Sequence, residues 1–193
     1  GTDEFLMALS AITGKAIPLE LQQERGRAVD ALTDSQAWIH GKGVALYGDP
    51  DHVFGITQFL LEMGAEPKHI VVTNSNKDFE AELREVLTNS PYGQEATIWG
   101  KKDLWHLRSL MFTEPVDLLI GNSYGKYLWR DTGTPLVRIG YPIFDRHHMH
   151  RYATLGYQGA INQFNWIINT ILDDLDHKTN VPAKTDISFD LIR

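Results

Sequence analysis

His147, His148 and His150 fall within four residues of one another, flanked by Asp145, Arg146 and Arg151. Imidazole is a common metal ligand, so three in one loop invite a metal site. The flanking arginines oppose a bound cation, and no carboxylate motif with standard ligand spacing accompanies the histidines. A hydrogen-bonded polar loop is the better expectation, with Asp145 pairing Arg146 or Arg151. Asp30 and Asp34 form a second constellation. They stand four apart on a predicted helix and so share a face, where like charges cost roughly 0.2–0.5 kcal/mol. A divalent cation or a partner's arginine between them would remove that cost. From the residues alone a solvated acidic face is favoured. As ligands the pair offers only two hard oxygens, and the rest of a coordination sphere would come from elsewhere, such as another subunit.

The third constellation is Gly48-Asp49-Pro50-Asp51, between an apolar run and a helical pattern. A strand–glycine–helix junction suggests a nucleotide site, but Gly48 and Gly55 are seven apart, and neither a G-x-G-x-x-G nor a G-K-[ST] pattern is present. Asp49 and Asp51 would repel a phosphate at the helix N-terminus and favour the helix dipole themselves. Asp49 before Pro50 reads as a structural N-cap with proline at the first helical position.

The elements that hold these residues follow from periodicity. Residues 3–13 predict a helix with Phe5, Leu6, Leu9 and Ile12 on one side, ended at Gly14. Pro18 suits the first turn of a second helix running to about His40. Short apolar runs at 44–47, 69–73, 97–99, 116–120 and 136–139 predict strands. Helical patterns at 53–64, 77–87 and 103–112 lie between them. Buried strands alternating with helices imply parallel pairing. The expected fold is therefore α/β, a Rossmann-like parallel sheet with flanking helices. An N-terminal helical segment, 1–41, precedes the Rossmann-like domain, 42–178. That domain ends in a covering helix at about 154–177, with Ile161, Phe164, Ile168, Ile171, Leu172 and Leu175 at helical spacing. Gly156 and Gly159 could allow close backbone approach there. Residues 179–193 read as a polar tail.

Hydrophobic residues make up 42% of the chain, enough for a core. The net charge of −7 argues against nonspecific binding to nucleic acid or an anionic membrane. No apolar run reaches the roughly 18 residues that span a bilayer, and no signal-peptide pattern opens the chain. The start at Gly1-Thr2-Asp3-Glu4, without methionine, suggests a piece of a longer protein. Zero cysteines exclude disulfides and leave no thiolates for an iron–sulfur cluster. A cytoplasmic setting fits that composition.

Several segments together carry a resemblance. They are Gly1-Thr2-Asp3-Glu4-Phe5-Leu6-Met7, Glu24-Arg25-Gly26-Arg27, and His40-Gly41-Lys42 with the strand to Gly48-Asp49-Pro50-Asp51. Lys102-Asp103-Leu104-Trp105-His106-Leu107-Arg108-Ser109-Leu110, Gly121-Asn122-Ser123-Tyr124-Gly125-Lys126 and the long run from Ile139 to Ala160 complete the set. All resemble the C-terminal domain of the nitrogenase molybdenum–iron protein beta-subunit family, in a form similar to cyanobacterial sequences. The tail from Lys184 to Arg193 looks like that subunit's C-terminus. The resemblance implies the last of three Rossmann-like domains in a subunit of a heterotetramer with two alpha and two beta chains. That enzyme reduces dinitrogen to ammonia with electrons from an ATP-driven iron protein. Its P-cluster lies between alpha and beta and its iron–molybdenum cofactor in alpha, and neither ligand set can be carried onto a cysteine-free chain. Two features do carry over. Asp30 and Asp34 match aspartates at a mononuclear metal site between two beta subunits, so a divalent cation is expected there. The loop Asn74-Ser75-Asn76-Lys77 matches a surface near the iron-protein docking face, with Asn76 and Lys77 as docking residues. The competing reading is a stand-alone Rossmann-like ligand-binding module.

Overall fold

A computed structural model of the chain describes residues 1–147 and 149–179. Five strands form one sheet in the order β3-β2-β1-β4-β5, and every described pairing is parallel. They are β1 (Gly43–Gly48), β2 (Glu66–Val72), β3 (Thr97–Gly100), β4 (Leu118–Gly121) and β5 (Leu136–Arg138). The expected Rossmann-like α/β architecture is the observed one.

Side-chain alternation along the central strands builds two cores. Val44 and Leu46 of β1, Ile70 and Val72 of β2, and Leu118 and Ile120 of β4 point to one face. There they meet α3 (Pro50–Glu62), α4 (Lys77–Thr88) and α7 (Gly156–Lys178) through Leu60, Leu83 and Phe164. Ala45, Tyr47, Val71 and Leu119 point to the other face, against Leu107 and Met111 of α5 (Leu104–Thr113) and Leu128 of α6 (Gly125–Thr132). Helices on both faces explain why the strands read as unbroken apolar runs.

The helix α6 is absent from the sequence expectation. Eight residues give barely two turns, too short for a helical period to stand out. The second helix is also shorter than expected. α2 covers Leu19–Ser35, Pro18 sits at its N-cap rather than in its first turn, and a 3-10 turn, Gln36–Trp38, finishes the segment. Of the two glycines opening α7, Gly159 permits close approach, since a Cβ there would run into the Thr154 backbone. Gly156 instead supplies a left-handed φ of 73° in open space.

The N-terminal helices dock on α7. α2 buries Ala28 and packs along α7. Asp3 of α1 (Thr2–Thr13) accepts from Arg25 at 2.8 Å and from the Tyr157 hydroxyl at 2.7 Å, tying three helices at one carboxylate. Hydrogen bonding from Tyr157 and Arg25 holds that carboxyl below its ordinary range. The apolar side of α1 is not buried: Phe5 is 67% and Ile12 83% exposed. No described helix is long and apolar enough to cross a membrane. The tail from residue 180 onward lies outside the described residues.

Candidate functional site

Asp30 and Asp34 lie on the exposed side of α2, four residues apart on a regular helix. The opposite side of the helix, through Ala28 and Leu32, packs inward and fixes the direction in which the two carboxylates face. No third His, Cys, Asp or Glu joins them in a metal-capable group among the described residues. Their chemistry fits a hard cation only as half of a shared sphere.

Asn76 and Lys77 begin α4. Asn76 holds the N-cap, its side-chain oxygen accepting from the Phe79 backbone N–H at 2.8 Å. That bond fixes the first turn and leaves Lys77 exposed beside it. Ser75 is buried under the turn, donating to Glu80 Oε1 at 2.6 Å.

The histidine-loop expectation needs one correction. Asp145 does not take Arg146 or Arg151 as its principal partner. Arg138, at the end of β5, donates to it from Nε at 2.9 Å and from Nη2 at 2.8 Å, and Ser123 Oγ donates at 2.6 Å. The expected ion pair with Arg146 does form, but at 3.8 Å it is the longer contact. Burial works to raise the Asp145 carboxyl, and the Arg138 and Ser123 hydrogen bonds overcome it, holding the group at about 2. The missed signal was a charged residue, Arg138, inside the apolar run Leu136-Val137-Arg138-Ile139. A near-buried arginine in a strand calls for a carboxylate partner. His147 and His150 both make contacts of their own, and His148 lies outside the described residues.

Asp49 takes the N-cap position of α3 with Pro50 at N1, as the spacing predicts, although its carboxylate makes no capping hydrogen bond. The crevice between the carboxyl ends of β1 and β4, where a doubly wound sheet commonly receives a nucleotide, is filled by the chain itself. Ser123 N–H donates to Pro142 O at 3.0 Å, Asn122 Nδ2 to Tyr141 O at 3.0 Å, and Phe144 N–H to Ser123 Oγ at 2.9 Å. Beneath this plug Tyr47 donates to Asn122 O at 2.5 Å, and a Cβ on Gly121 would collide with the Tyr47 ring. His52 packs against Gly140, and burial lowers its pKa against the opposing pull of Asp49.

A family model described as nitrogenase component 1 type oxidoreductase matches residues 1–172. The chain belongs to this family. Over its whole length the chain is 68% identical to the nitrogenase molybdenum-iron protein beta chain of Rippkaea orientalis. It is 67% identical to that of Nostoc sp. and 53% identical to that of Azotobacter vinelandii. It spans 38% of the length of each of these relatives. Among solved structures, a chain of nitrogenase Cp1 at pH 6.5 superposes with a TM-score of 0.89 at 36% identity, covering 97% of this chain and 40% of that one. A second family chain, from nitrogenase Cp1 at pH 5, shares the fold alone, at TM-score 0.61 and 12% identity.

Proposed function

We propose that this chain is the cluster-free C-terminal part of the beta subunit of a nitrogenase molybdenum–iron protein, and that it serves subunit assembly and electron-donor docking. The observation that carries the reading is identity of 68% along the full chain to a beta chain, joined to the absence of any cysteine. The whole enzyme would reduce dinitrogen in the cytoplasm, with an alpha subunit, a second beta subunit and an ATP-driven iron protein as partners. Its P-cluster and iron–molybdenum cofactor need thiolate ligands that this chain does not offer, so those groups do not fit here. The exposed Phe5 and Ile12 side of α1 suits burial against other parts of the assembly. The Asp30–Asp34 face of α2 suits a divalent cation shared with a second beta subunit. Asn76 positions Lys77, which faces the electron donor. The 193-residue chain, purified anoxically by itself after incubation with iron and sulfide, is expected to hold no acid-labile sulfide and to reduce no dinitrogen. Stoichiometric bound sulfide would overturn the reading.

A further inference from the structure

His52 stands in the first turn of α3, where that helix meets the plug over the β1–β4 crevice. Its ring lies between two glycines from different elements. A Cβ on Gly48, the last residue of β1, would sit 3.6 Å from His52 Cδ2, and a Cβ on Gly140, at the start of the plug, would sit 3.2 Å from His52 Nε2. Gly140 has a φ of +104°, which L side chains rarely adopt, so bare backbone faces the ring there. Nε2 is fully enclosed and has no hydrogen-bond partner among the described residues.

The two protonation states of this imidazole differ in what they ask of that contact. A neutral ring leaves one nitrogen as a bare acceptor, whereas an imidazolium carries an N–H on both. Protonation therefore turns the enclosed Nε2 beside Gly140 into a charged donor with no oxygen to receive it. The charged groups around the ring do not supply one. Gly48 and Gly140 bring no charge from β1 or from the plug. Arg138, at the end of β5, and Asp145, in the plug, are spent on each other, and burial keeps the Tyr47 hydroxyl protonated. From α3 itself, Asp51 is exposed, and Asp49 is the charge that acts on the ring. Burial lowers the His52 pKa below its ordinary 6.5, and Asp49 offsets only part of that.

We propose that His52 is a pH-sensitive latch on the plug: neutral, it lets residues 140–144 close the crevice, and protonated, it loosens them and uncovers Asn122 and the Tyr47 hydroxyl. The sign follows from the lowered folded value. The latch contributes fully above the unfolded pKa near 6.5 and is lost as pH falls through the folded one. The Arg138–Asp145 pair cannot imitate this response, because its carboxyl titrates at about 2.

The test is hydrogen exchange read by mass spectrometry on the full-length assembled protein, between about pH 7.5 and 5, with rates corrected for their intrinsic pH dependence. The plug protects the Ser123 and Phe144 amides through Pro142 O and Ser123 Oγ. These amides are expected to lose about three- to tenfold of their protection across that range. His52→Phe keeps a flat ring and takes no proton, so its protection should stay constant within about twofold. His52→Gln makes the same comparison if the phenyl ring disturbs the fold. The double variant His147→Gln, His150→Gln controls for the neighbouring histidines and should keep the parent's response. Absence of a response in the parent, or its persistence in the His52 variants, overturns the latch. So does its loss in the double variant while the His52 variants retain it. A loss of protection spread equally over the β2 amides would mark general acid unfolding and overturn the latch as well.

Discussion

Replacing Asp145 with Asn should release the plug that closes the β1–β4 crevice. The carboxylate receives the Arg138 guanidinium and the Ser123 hydroxyl together, and Ser123 Oγ in turn accepts from Phe144 N–H. Both charges are largely enclosed, with Arg138 10% and Asp145 18% exposed, so solvent screens the pair only partly. Lowering a carboxyl from its ordinary 3.8 to about 2 corresponds to roughly 2 kcal/mol of preference for the charged form in the folded state. Asp145→Asn loses that preference, and with it the countercharge of Arg138, at a cost of about 2 kcal/mol. The sign with pH follows. Because the folded pKa is depressed, the contribution is complete above the unfolded value near 3.8 and disappears as pH falls through about 2. Hydrogen exchange in the assembled protein reads this locally. Phe144 and Ser123 amides should lose about 30-fold or more of their protection at neutral pH, while β2 amides stay protected. A double-mutant cycle with Arg138→Gln should show coupling above about 1 kcal/mol. Additive effects, or a loss of protection spread evenly over the sheet, would refute the reasoning.

Gly121→Ala should destabilise the chain by about 1–3 kcal/mol, because its methyl group enters the Tyr47 ring. Pairing it with Tyr47→Ala should cost less than the sum of the two singles, and strict additivity in denaturant unfolding would argue against the clash. In the assembled enzyme, replacing Asp30 and Asp34 together by Asn should lower the divalent-cation content and weaken association between the two halves, with the distant clusters retained. Elemental analysis beside a dilution series of half-to-half dissociation checks this, and unchanged values in both would leave the pair a solvated acidic face.

The sheet was legible because its strands are buried on both faces. Val44-Ala45-Leu46-Tyr47 and Leu118-Leu119-Ile120 are apolar without alternation, and glycine, proline and capping residues such as Asp103 and Asn76 mark where helices begin. What escaped depended on long-range partners. Asp145 finds Arg138 seven residues away through the turn after β5, whereas sequence proximity pointed to Arg146 and Arg151. The extent of α2 escaped because the break at Ser35 contains neither glycine nor proline. Lys101 carries no sequence signal of its left-handed backbone, which is imposed by the turn from β3 into the Asp103 cap. The acidic pair on α2 was legible as two carboxylates on one exposed helix face, because a spacing of four residues places them there.

Anoxic fractionation of the source organism, with peptides of this chain quantified in every fraction, tests the central claim most directly. The peptides should co-elute with molybdenum, belong to one polypeptide more than twice the length of this chain, and match an alpha partner one to one. Recovery as a free 193-residue protein, in fractions without molybdenum or an alpha partner, would contradict the account.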